Sequence, residues 1–419
     1  MSAPLSVAFD ATRLKARLKL GMPTGIDRVD LAYLHALASD PGIHLSLVAH
    51  GPLGVRRLTA SVSRQLLACL ARDWHPPQAQ EPPQGAALRQ WLESPAGTPR
   101  PALPAPRHAA AAVATTPLAL PARGPAPGVF LHSSHGQLHR RAYARWLART
   151  GLKGVFFVHD LIPIEYPEYS RAAEPARHAA RLATIAGHAR AVLVNSAATR
   201  DSLRRYWAAR NVRTPAITVA PLGLSLDTTV QALPSPQAAV PYFVLLGTIE
   251  PRKNHGLLLK LWRQMAESDP LGTPRLVLVG RRGWENETVF NLLDRAPALG
   301  GHVIECAGLP DAGLLALLRG ATALLNPSFA EGYGLPVAEA LAAGVPVLAS
   351  DLAAHREVAG ACADYLDPLD GAGWLAAIRE LAAPGSPRRA TALQRVAGYR
   401  PPTWAAHFEI VRDALNSTT

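Results

Sequence analysis

Two adjacent cations follow a short apolar run in the second half of this 419-residue chain. Arg252 and Lys253 belong to the segment Gly247-Thr-Ile-Glu-Pro-Arg-Lys-Asn-His255, which comes directly after Tyr242–Leu246. A glycine lets the backbone approach a ligand closely, and paired cations neutralise a diphosphate better than one cation alone. The segment therefore predicts phosphate binding. The alternative is that both cations are solvated residues beside a helix start.

Two glutamates eight positions apart form a second candidate group. Glu331 begins the loop Glu331-Gly-Tyr-Gly-Leu-Pro336, and Glu339 lies in the helix that we expect to follow. The glycines permit a tight loop with amides directed at a ligand, and proline suits the first turn of a helix. Such carboxylates can bind separate hydroxyl groups of one long ligand. Alternatively, Glu331 only complements the helix dipole and Glu339 is an exposed helical residue.

Three histidines in the first half have a spacing that a zinc ion could use. The run that contains His132, His135 and His139 has no carboxylate or thiolate, so we expect no metal there. The chain has three scattered cysteines, too few for a disulfide framework, which fits a reducing compartment.

Apolar runs separated by helix-length stretches must position these groups. Six runs in each half are rich in Val, Leu and Ile, which is typical of parallel strands covered on both faces. In the first half we predict strands at Leu5–Ala11, Ile43–Gly51, Val129–Ser133, Gly154–His159, Ala191–Ser196 and Ala216–Ala220. In the second half we predict strands at Tyr242–Gly247, Arg275–Gly280, His302–Ala307, Ala321–Pro327, Pro346–Ser350 and Ala363–Leu366. Ligands of such sheets bind beyond the carboxyl ends of the strands.

The alternating pattern predicts an α/β protein with two Rossmann-like, doubly wound lobes that face a cleft. We place the first lobe at residues 1–222, the second at 223–400, and a helix in 401–419 that returns to the first lobe. Thirteen prolines between His75 and Gly128 predict an irregular or partly disordered insertion, at about 75–128, within the first lobe. We expect this insertion to carry little chemistry.

The excess of positive charge lies in the first half. The chain has 43 Lys+Arg and 31 Asp+Glu, and the residues up to Gly223 hold 27 of the former and 12 of the latter. Arginines around Trp146 and Trp207 suit an anionic membrane surface or a phosphorylated substrate, or only serve solubility. No zinc-finger, RNA-binding or basic-zipper pattern occurs, which argues against nucleic acid. No apolar run of about 18 residues occurs, so we expect a cytoplasmic protein that does not span a membrane. Its basic first half would make it peripheral on the inner face of the membrane.

Together these motifs resemble family 4 of the retaining, nucleotide-sugar-dependent glycosyltransferases, which have the GT-B fold. The resemblance covers nearly the whole chain outside the proline-rich insertion. The motifs that carry it are, in order, Thr24–Arg28, His159–Pro163, Arg252–Asn254, Leu276–Gly280, Gly308–Asp311, Glu331–Glu339 and Ala343–Val347. Among them, His159-Asp-Leu-Ile-Pro resembles bacterial mannosyltransferases of polysaccharide and lipopolysaccharide assembly.

The resemblance implies a donor site in the second lobe. Arg252 and Lys253 would hold the diphosphate, while Glu331 would contact sugar hydroxyls near the reacting carbon. Glu339 would hold the nucleotide ribose. Further donor contacts are implied for Gly308 and Leu309 at the base pocket, and for Gly332, Tyr333, Gly334 and Leu335 at the sugar and phosphate.

The resemblance also assigns residues of the first lobe. Gly25 would face the donor phosphate, although this loop has fewer glycines than the family usually shows. His159, at a strand end, would approach the anomeric centre and complete the catalytic set with Arg252, Lys253 and Glu331. Acceptor contacts are expected at Arg28, His132, Asp160 and Asn195.

The implied reaction moves a hexose, with mannose favoured, to a saccharide or a polyprenyl-diphosphate-linked acceptor with retained anomeric configuration. GDP-mannose is the leading donor, followed by UDP- and dTDP-sugars. The chain has no Asp-x-Asp pair, so we expect no divalent metal and no other cofactor. The alternatives are a sugar-nucleotide epimerase, a phosphorylase of similar fold, and a non-catalytic sugar-nucleotide-binding protein.

Overall fold

The chain divides into two compact units. The computed structural model describes residues 4–18, 23, 25–52, 54–74, 81–104, 128–224, 226 and 235–417. The first unit comprises Met1–Pro77, His108–Ser225 and Pro402–Thr419, and the second comprises Gln78–Arg107 and Leu226–Pro401.

The first unit contains a seven-stranded sheet in the order β3-β2-β1-β4-β5-β6-β7. Its strands are β1 Leu5–Asp10, β2 Ile43–Gly51, β3 Gly54–Arg57, β4 Val129–His132, β5 Lys153–Val158, β6 Ala189–Val194 and β7 Ala216–Val219. All pairings are parallel except that of β2 with β3. Its helices are α1 Thr12–Arg17, α2 Gly25–Ser39, α3 Ala60–Trp74, α5 Arg141–Thr150, α6 Ile162–Glu165, α7 Glu174–His188, α8 Ala197–Ala208 and α16 Trp404–Asn416.

The second unit contains a six-stranded, wholly parallel sheet in the order β10-β9-β8-β11-β12-β13. Its strands are β8 Tyr242–Leu246, β9 Arg275–Val279, β10 Val303–Cys306, β11 Ala323–Asn326, β12 Val347–Ser350 and β13 Asp364–Leu366. Its helices are α4 Pro83–Glu93, α9 His255–Ser268, α10 Glu287–Arg295, α11 Asp311–Gly320, α12 Leu335–Ala342, α13 Ala353–Ala359, α14 Gly371–Ala382 and α15 Pro387–Ala397.

The expectation of two parallel-sheet lobes is confirmed. Each of the twelve predicted strands is present with ends within two residues of the prediction, because buried parallel strands appear in the sequence as continuous apolar runs. The prediction missed β3, whose short antiparallel pairing with β2 leaves Arg56 and Arg57 exposed.

The C-terminal helix α16 packs on the first unit, as expected. His407 donates from Nδ1 to the carbonyl oxygen of Pro221 at 2.9 Å, so its Nε2 accepts a hydrogen bond from the Tyr33 hydroxyl at 2.9 Å. The backbone of Gly223 also meets Trp404 so closely that a Cβ at Gly223 would lie 2.3 Å from the Trp404 nitrogen.

The expectation for the proline-rich insertion was wrong for residues 81–104, which belong to the second unit and contain the regular helix α4. Arg275 of β9, 1% exposed, fastens this segment. Its guanidinium donates to the Trp91 and Pro95 carbonyls and to the Ser94 hydroxyl, and it lies 4.5 Å from the centre of the Trp91 ring. The rest of the insertion, residues 75–80 and 105–127, lies outside the described residues.

Candidate active site

The loop after β8 brings Lys253 over a glycine. Gly247 has a φ of 137°, and a Cβ there would lie 3.2 Å from Cε of Lys253. A short 3-10 helix, Pro251–Lys253, then ends at Asn254, which adopts the left-handed conformation with a φ of 55°. Because Asn254 also donates from Nδ2 to the Pro368 carbonyl at 3.0 Å, this turn is held in place and α9 starts directly behind the two cations.

Glu331, in the loop after β11, joins both cations in one cluster. Its Oε2 accepts from Arg252 Nη1 at 2.6 Å, and its Oε1 accepts from Lys253 Nζ. The Arg252 Nε also pairs with Glu250 at 2.6 Å. The side chains of Lys253 and Glu331 are 6% and 7% exposed, whereas that of Arg252 is 23% exposed. Two cations and two carboxylates therefore balance at the carboxyl ends of neighbouring strands β8 and β11.

The electrostatics keep Glu331 ionised. Burial alone would raise its pKa, but Arg252 and Lys253 hold the pKa well below its usual range. Burial lowers the pKa of Lys253, and Glu331 opposes that effect. A buried ion pair of this kind is costly to break from one side, because the remaining charge loses its partner.

A second group of buried polar residues supports Glu331. Ser328 Oγ lies 2.8 Å from Glu331 Oε1 and 2.7 Å from Asn326 Oδ1, so its single proton serves one acceptor at a time. His355 donates from Nδ1 to the Ser350 carbonyl at 2.8 Å, and its Nε2 accepts from Asn326 Nδ2 at 3.3 Å. Burial lowers the pKa of His355, which keeps the ring in this neutral tautomer.

Sequence reasoning did not select Ser328 or His355. Ser328 lies three residues before Glu331, between the predicted strand and the motif, and its hydroxyl was a usable signal. His355 gave none, since only the fold of β12 and α13 brings its ring to the loop. A Cβ at Gly334, whose φ is 102°, would lie 3.0 Å from His355 Cδ2.

The other predicted donor residues line the ends of β10 and β11. Gly308 has a φ of 78° and Leu309 is 6% exposed, just before α11. Tyr333 is 6% exposed, and α12 begins at Leu335. Glu339 is half-buried on α12, and Gly332 is half-buried in the loop. Their contacts with a donor stay predictions.

In the first unit, His159 directly follows β5 and is 5% exposed. Its Nε2 donates to the Ser133 carbonyl at 2.7 Å, and its own carbonyl accepts from Asn195 Nδ2 at 2.9 Å. Burial lowers the pKa of His159 to about 4, so the ring is neutral at neutral pH. A neutral ring that is protonated at Nε2 carries its lone pair on Nδ1 and can accept a hydrogen bond there.

Three of the predicted acceptor residues form hydrogen bonds with other groups of the protein. Asp160 accepts from the Ile162 amide at 3.1 Å through Oδ1. Asn195 is 3% exposed, and its Oδ1 has no hydrogen-bond partner among the described residues. His132 is fully buried and donates from Nε2 to the Gly136 carbonyl at 3.1 Å. That environment is typical of a structural histidine, so an acceptor contact at His132 is not supported.

Two further predicted residues lie on α2. Gly25 is exposed at the first position of α2, and Arg28 is half-buried in its first turn. Thr24 lies outside the described residues. The neighbouring basic run is partly neutralised within the protein, because Arg13 donates from Nε to the buried Asp27 at 2.6 Å.

Sequence reasoning also missed Asp30. This residue of α2 is fully buried, and its Oδ1 accepts from the Ser133 hydroxyl at 2.6 Å. Its Oδ2 has no hydrogen-bond partner among the described residues. Burial raises the pKa of Asp30 to about 8. An acid on the apolar face of a predicted helix was the only signal in the sequence.

Histidines converge at the carboxyl ends of β4 and β5. The ring centre of His135 lies 5.4 Å from that of His159 and 5.2 Å from that of His178. Within the described ranges, no group of three or more His, Cys, Asp or Glu side chains is arranged to hold a metal ion.

The tryptophans of the two arginine-rich helices, α5 and α8, pack in or against the core of the protein and do not accompany the arginines at the surface. Trp207 of α8 is 1% exposed and belongs to the core, and Trp146 of α5 packs on Phe130 with ring centres 5.1 Å apart. Arg204 and Arg205 of α8 are exposed. The exposed feature of these helices is thus their charge. Among the helices that the structure describes, none is both long enough and apolar enough to cross a bilayer.

Comparison with curated proteins identifies two mannosyltransferases of Escherichia coli as relatives. The serotype-specific mannosyltransferase WbdA is 31% identical over 264 residues, which is 56% of this chain and 31% of WbdA. O-antigen chain mannosyltransferase B is 36% identical over 129 residues, which is 31% of this chain and 33% of the relative. The chain thus spans about a third of the length of these curated relatives.

A solved structure matches the whole chain. Sucrose-phosphate synthase from Thermosynechococcus elongatus superposes with a TM-score of 0.60 over 99% of this chain and 100% of the other, at 16% identity. At that identity the match shows the fold alone. Residues 240–383 match the family described as glycosyl transferases group 1. The match to the glycosyl transferases group 1 family thus lies within the second unit, and the superposition shows that the whole chain has the two-sheet GT-B fold.

Proposed function

We propose that the protein is a metal-independent, retaining hexosyltransferase that uses a nucleotide diphosphate sugar, with GDP-mannose as the leading donor. The acceptor is a saccharide or a lipid-linked saccharide. The observation that carries the proposal is the cluster of Arg252, Lys253 and Glu331 at adjacent strand ends of the group 1 domain. UDP- and dTDP-sugars are the next donors.

The cluster suits a leaving diphosphate. Lys253 is nearly buried and Arg252 is partly exposed, so a bound diphosphate would meet fixed cations in a site that excludes most water. Preorganised charge of this kind stabilises a departing anion more strongly than mobile charge in water does. In this proposal the bond between the anomeric carbon and the diphosphate oxygen breaks, and the acceptor oxygen forms the new glycosidic bond on the same face of the sugar. The departing diphosphate oxygen takes the acceptor proton.

Glu331 is a poor candidate for a covalent nucleophile. Both of its oxygens accept hydrogen bonds from cations, and Oε1 also lies near Ser328. A carboxylate held in this way orients the two cations and can still accept a hydrogen bond from a sugar hydroxyl. The arrangement supports a same-face displacement without a covalent intermediate, with positioning by Glu331.

The names of the relatives support the choice of sugar. Both E. coli proteins are described as mannosyltransferases, and the name of one refers to the O-antigen chain. We carry mannose and a surface-polysaccharide acceptor to this chain as part of the proposal.

Transfer is tested with GDP-mannose, UDP-glucose and dTDP-rhamnose, each supplied with and without oligosaccharide or polyprenyl-diphosphate acceptors. Mass spectrometry detects transfer, and NMR of the product gives the anomeric configuration. Conversion of the donor without acceptor would indicate an epimerase instead, and sugar phosphate formed with inorganic phosphate would indicate a phosphorylase. Nucleotide binding without turnover would leave a binding protein.

Two substitutions test the cluster. Lys253→Met and Glu331→Gln should each lower kcat by about 10²–10³, as removal of one preorganised group does in other enzymes. The matched controls are Lys260→Met and Glu267→Gln, which change exposed residues of α9. Equal activity of the Lys253 and Lys260 variants would refute the assignment.

Metal independence has a direct test. Activity measured after exhaustive EDTA treatment should equal activity in magnesium. A requirement for a protein-bound divalent ion would contradict the proposal that cations of the protein replace it.

We further propose that the basic first unit binds an anionic membrane surface. The exposed charge of α5 and α8 supports this, since each cation near such a surface contributes about 1 kcal/mol. Liposome flotation should show binding that grows with anionic lipid and weakens in the double variant Arg204→Glu/Arg205→Glu. Arg389→Glu, an exposed change on the second unit, is the control. Binding that ignores lipid charge would overturn this part.

A further inference from the structure

Asp30, a buried carboxyl group of the first unit, takes no part in the proposed transfer reaction. Asp30 lies on α2, where its neighbours Val29 and Leu31 are also buried. It is fully buried, and only one of its oxygens has a hydrogen-bond partner among the described residues. An unpaired polar atom at such a position costs stability, so its presence calls for a reason.

The hydrogen-bond partner of Asp30 also contacts His159. The Ser133 hydroxyl donates to Asp30 Oδ1 at 2.6 Å, and the Ser133 carbonyl accepts from His159 Nε2 at 2.7 Å. Ser133 is 1% exposed. One residue thus contacts the carboxyl group through its side chain and the imidazole through its backbone.

We infer that Asp30 is a positioning residue for His159 and acts through Ser133. The hydrogen bond from Ser133 Oγ holds the backbone of Ser133 immediately after β4. Its carbonyl then selects the tautomer of His159 with the proton on Nε2 and the lone pair on Nδ1. The inference rests on the proposed function only for the predicted catalytic role of His159, because the tautomer can be observed without any substrate.

The surroundings favour a neutral Asp30. Burial raises its pKa more than the Ser133 hydrogen bond and Arg13 lower it, and Asp10 and Asp27 add to the rise. A neutral carboxyl group and a carboxamide accept a hydrogen bond from Ser133 in the same way. Asparagine should therefore replace Asp30 in this role, whereas alanine should not.

The test reads the tautomer of His159 without any substrate. Protein labelled with 15N-histidine is examined by NMR, and the His159→Gln variant assigns the ring signals. The wild type should show proton occupancy at Nε2. Asp30→Ala and Ser133→Ala should both give a mixture of tautomers, and Asp30→Asn should keep the wild-type signals.

The matched control is Tyr33→Phe, which removes another buried hydrogen bond of α2, the one from Tyr33 to His407. This variant should leave the His159 signals unchanged even where it lowers stability. The inference would be overturned if Asp30→Ala kept the wild-type tautomer of His159. If Asp30→Ala does not fold, the same result in Ser133→Ala would overturn it. Altered His159 signals in Tyr33→Phe would overturn it as well, because the effect would then not be specific to Ser133.

Activity provides a separate readout. With the preferred donor, Asp30→Ala should lower kcat about 10- to 100-fold with little change in KM, as small displacements of a reacting group do. Asp30→Asn should rescue the rate. A changed tautomer with unchanged transfer would remove His159 from the predicted catalytic residues and leave its positioning by Asp30 in place. An unchanged tautomer with slower transfer would overturn the positioning by Asp30 and leave the proposed transferase function in place.

Discussion

The stability of the Asp30→Asn variant relative to the wild type should increase as the pH rises. The folded protein keeps this carboxyl neutral up to a pKa of about 8, whereas the unfolded chain ionises it near 3.8. Below pH 3.8 the group is protonated in both states and has no effect. Between the two values the unfolded state alone gains by ionising, so wild-type stability falls. Above about pH 8 the loss is complete.

The magnitude follows from the shift. Each pH unit between the two pKa values costs the wild type at most about 1.36 kcal/mol. At pH 7 the ceiling is roughly 4 kcal/mol, and we expect about 2–4 kcal/mol, since buried sites relax. The substitution places an amide where Oδ2 has no partner, a cost of about 1–3 kcal/mol that does not vary with pH. The diagnostic quantity is therefore the change with pH of the difference between variant and wild type.

Hydrogen–deuterium exchange in mild urea measures this difference for peptides of β1 and α2, because the two units need not unfold together. The control is Asp27→Asn on the same helix, which loses the ion pair with Arg13 and should be destabilised at pH 7. The reasoning would be refuted if the stability of Asp30→Asn minus that of the wild type stayed constant, or decreased, from pH 5 to 8.

Three further substitutions test the framework of the second unit by urea denaturation. Gly280→Ala should prevent normal packing of the loop after β8, because its Cβ would lie 1.8 Å from the Gly247 carbonyl oxygen; wild-type stability would contradict this contact. Arg275→Met should lower the free energy of unfolding by about 2–4 kcal/mol, since it leaves buried carbonyls of the α4 segment unpaired. The control Arg263→Met, at an exposed position, should change the free energy of unfolding by no more than about 0.5 kcal/mol. Asn254→Ala should cost about 1–2 kcal/mol through its left-handed backbone, and Asn254→Gly should cost less; the reverse order would rule out that cause.

The candidate site could be predicted in part because parallel sheets place their chemistry at strand ends. Once Tyr242–Gly247 and Ala321–Pro327 were predicted as strands, the loops with Arg252 and Glu331 had to follow their carboxyl ends. The order of the strands was not predictable to the same degree. Strands β8 and β11 are neighbours although β9 and β10 lie between them in the chain.

The α4 segment shows where composition misleads. Its prolines indicated irregular structure, yet Leu88 and Leu92 bury one face of a regular helix. Arg275, almost two hundred positions further on, supplies the hydrogen bonds that hold it. A local pattern carries no information about a partner so distant in the chain.

The sequence by itself determined the two α/β lobes, the positions of twelve strands and the loops that carry the cations and glutamates. These depend on local apolar runs and turn residues, which act over a few positions. Only the tertiary structure decided that Glu331 pairs with Arg252 and Lys253 and that His132 is buried. It also decided that Ser133 connects Asp30 to His159 by two hydrogen bonds. Burial and pairing of polar groups depend on residues brought together from distant parts of the chain, and those contacts also set their protonation.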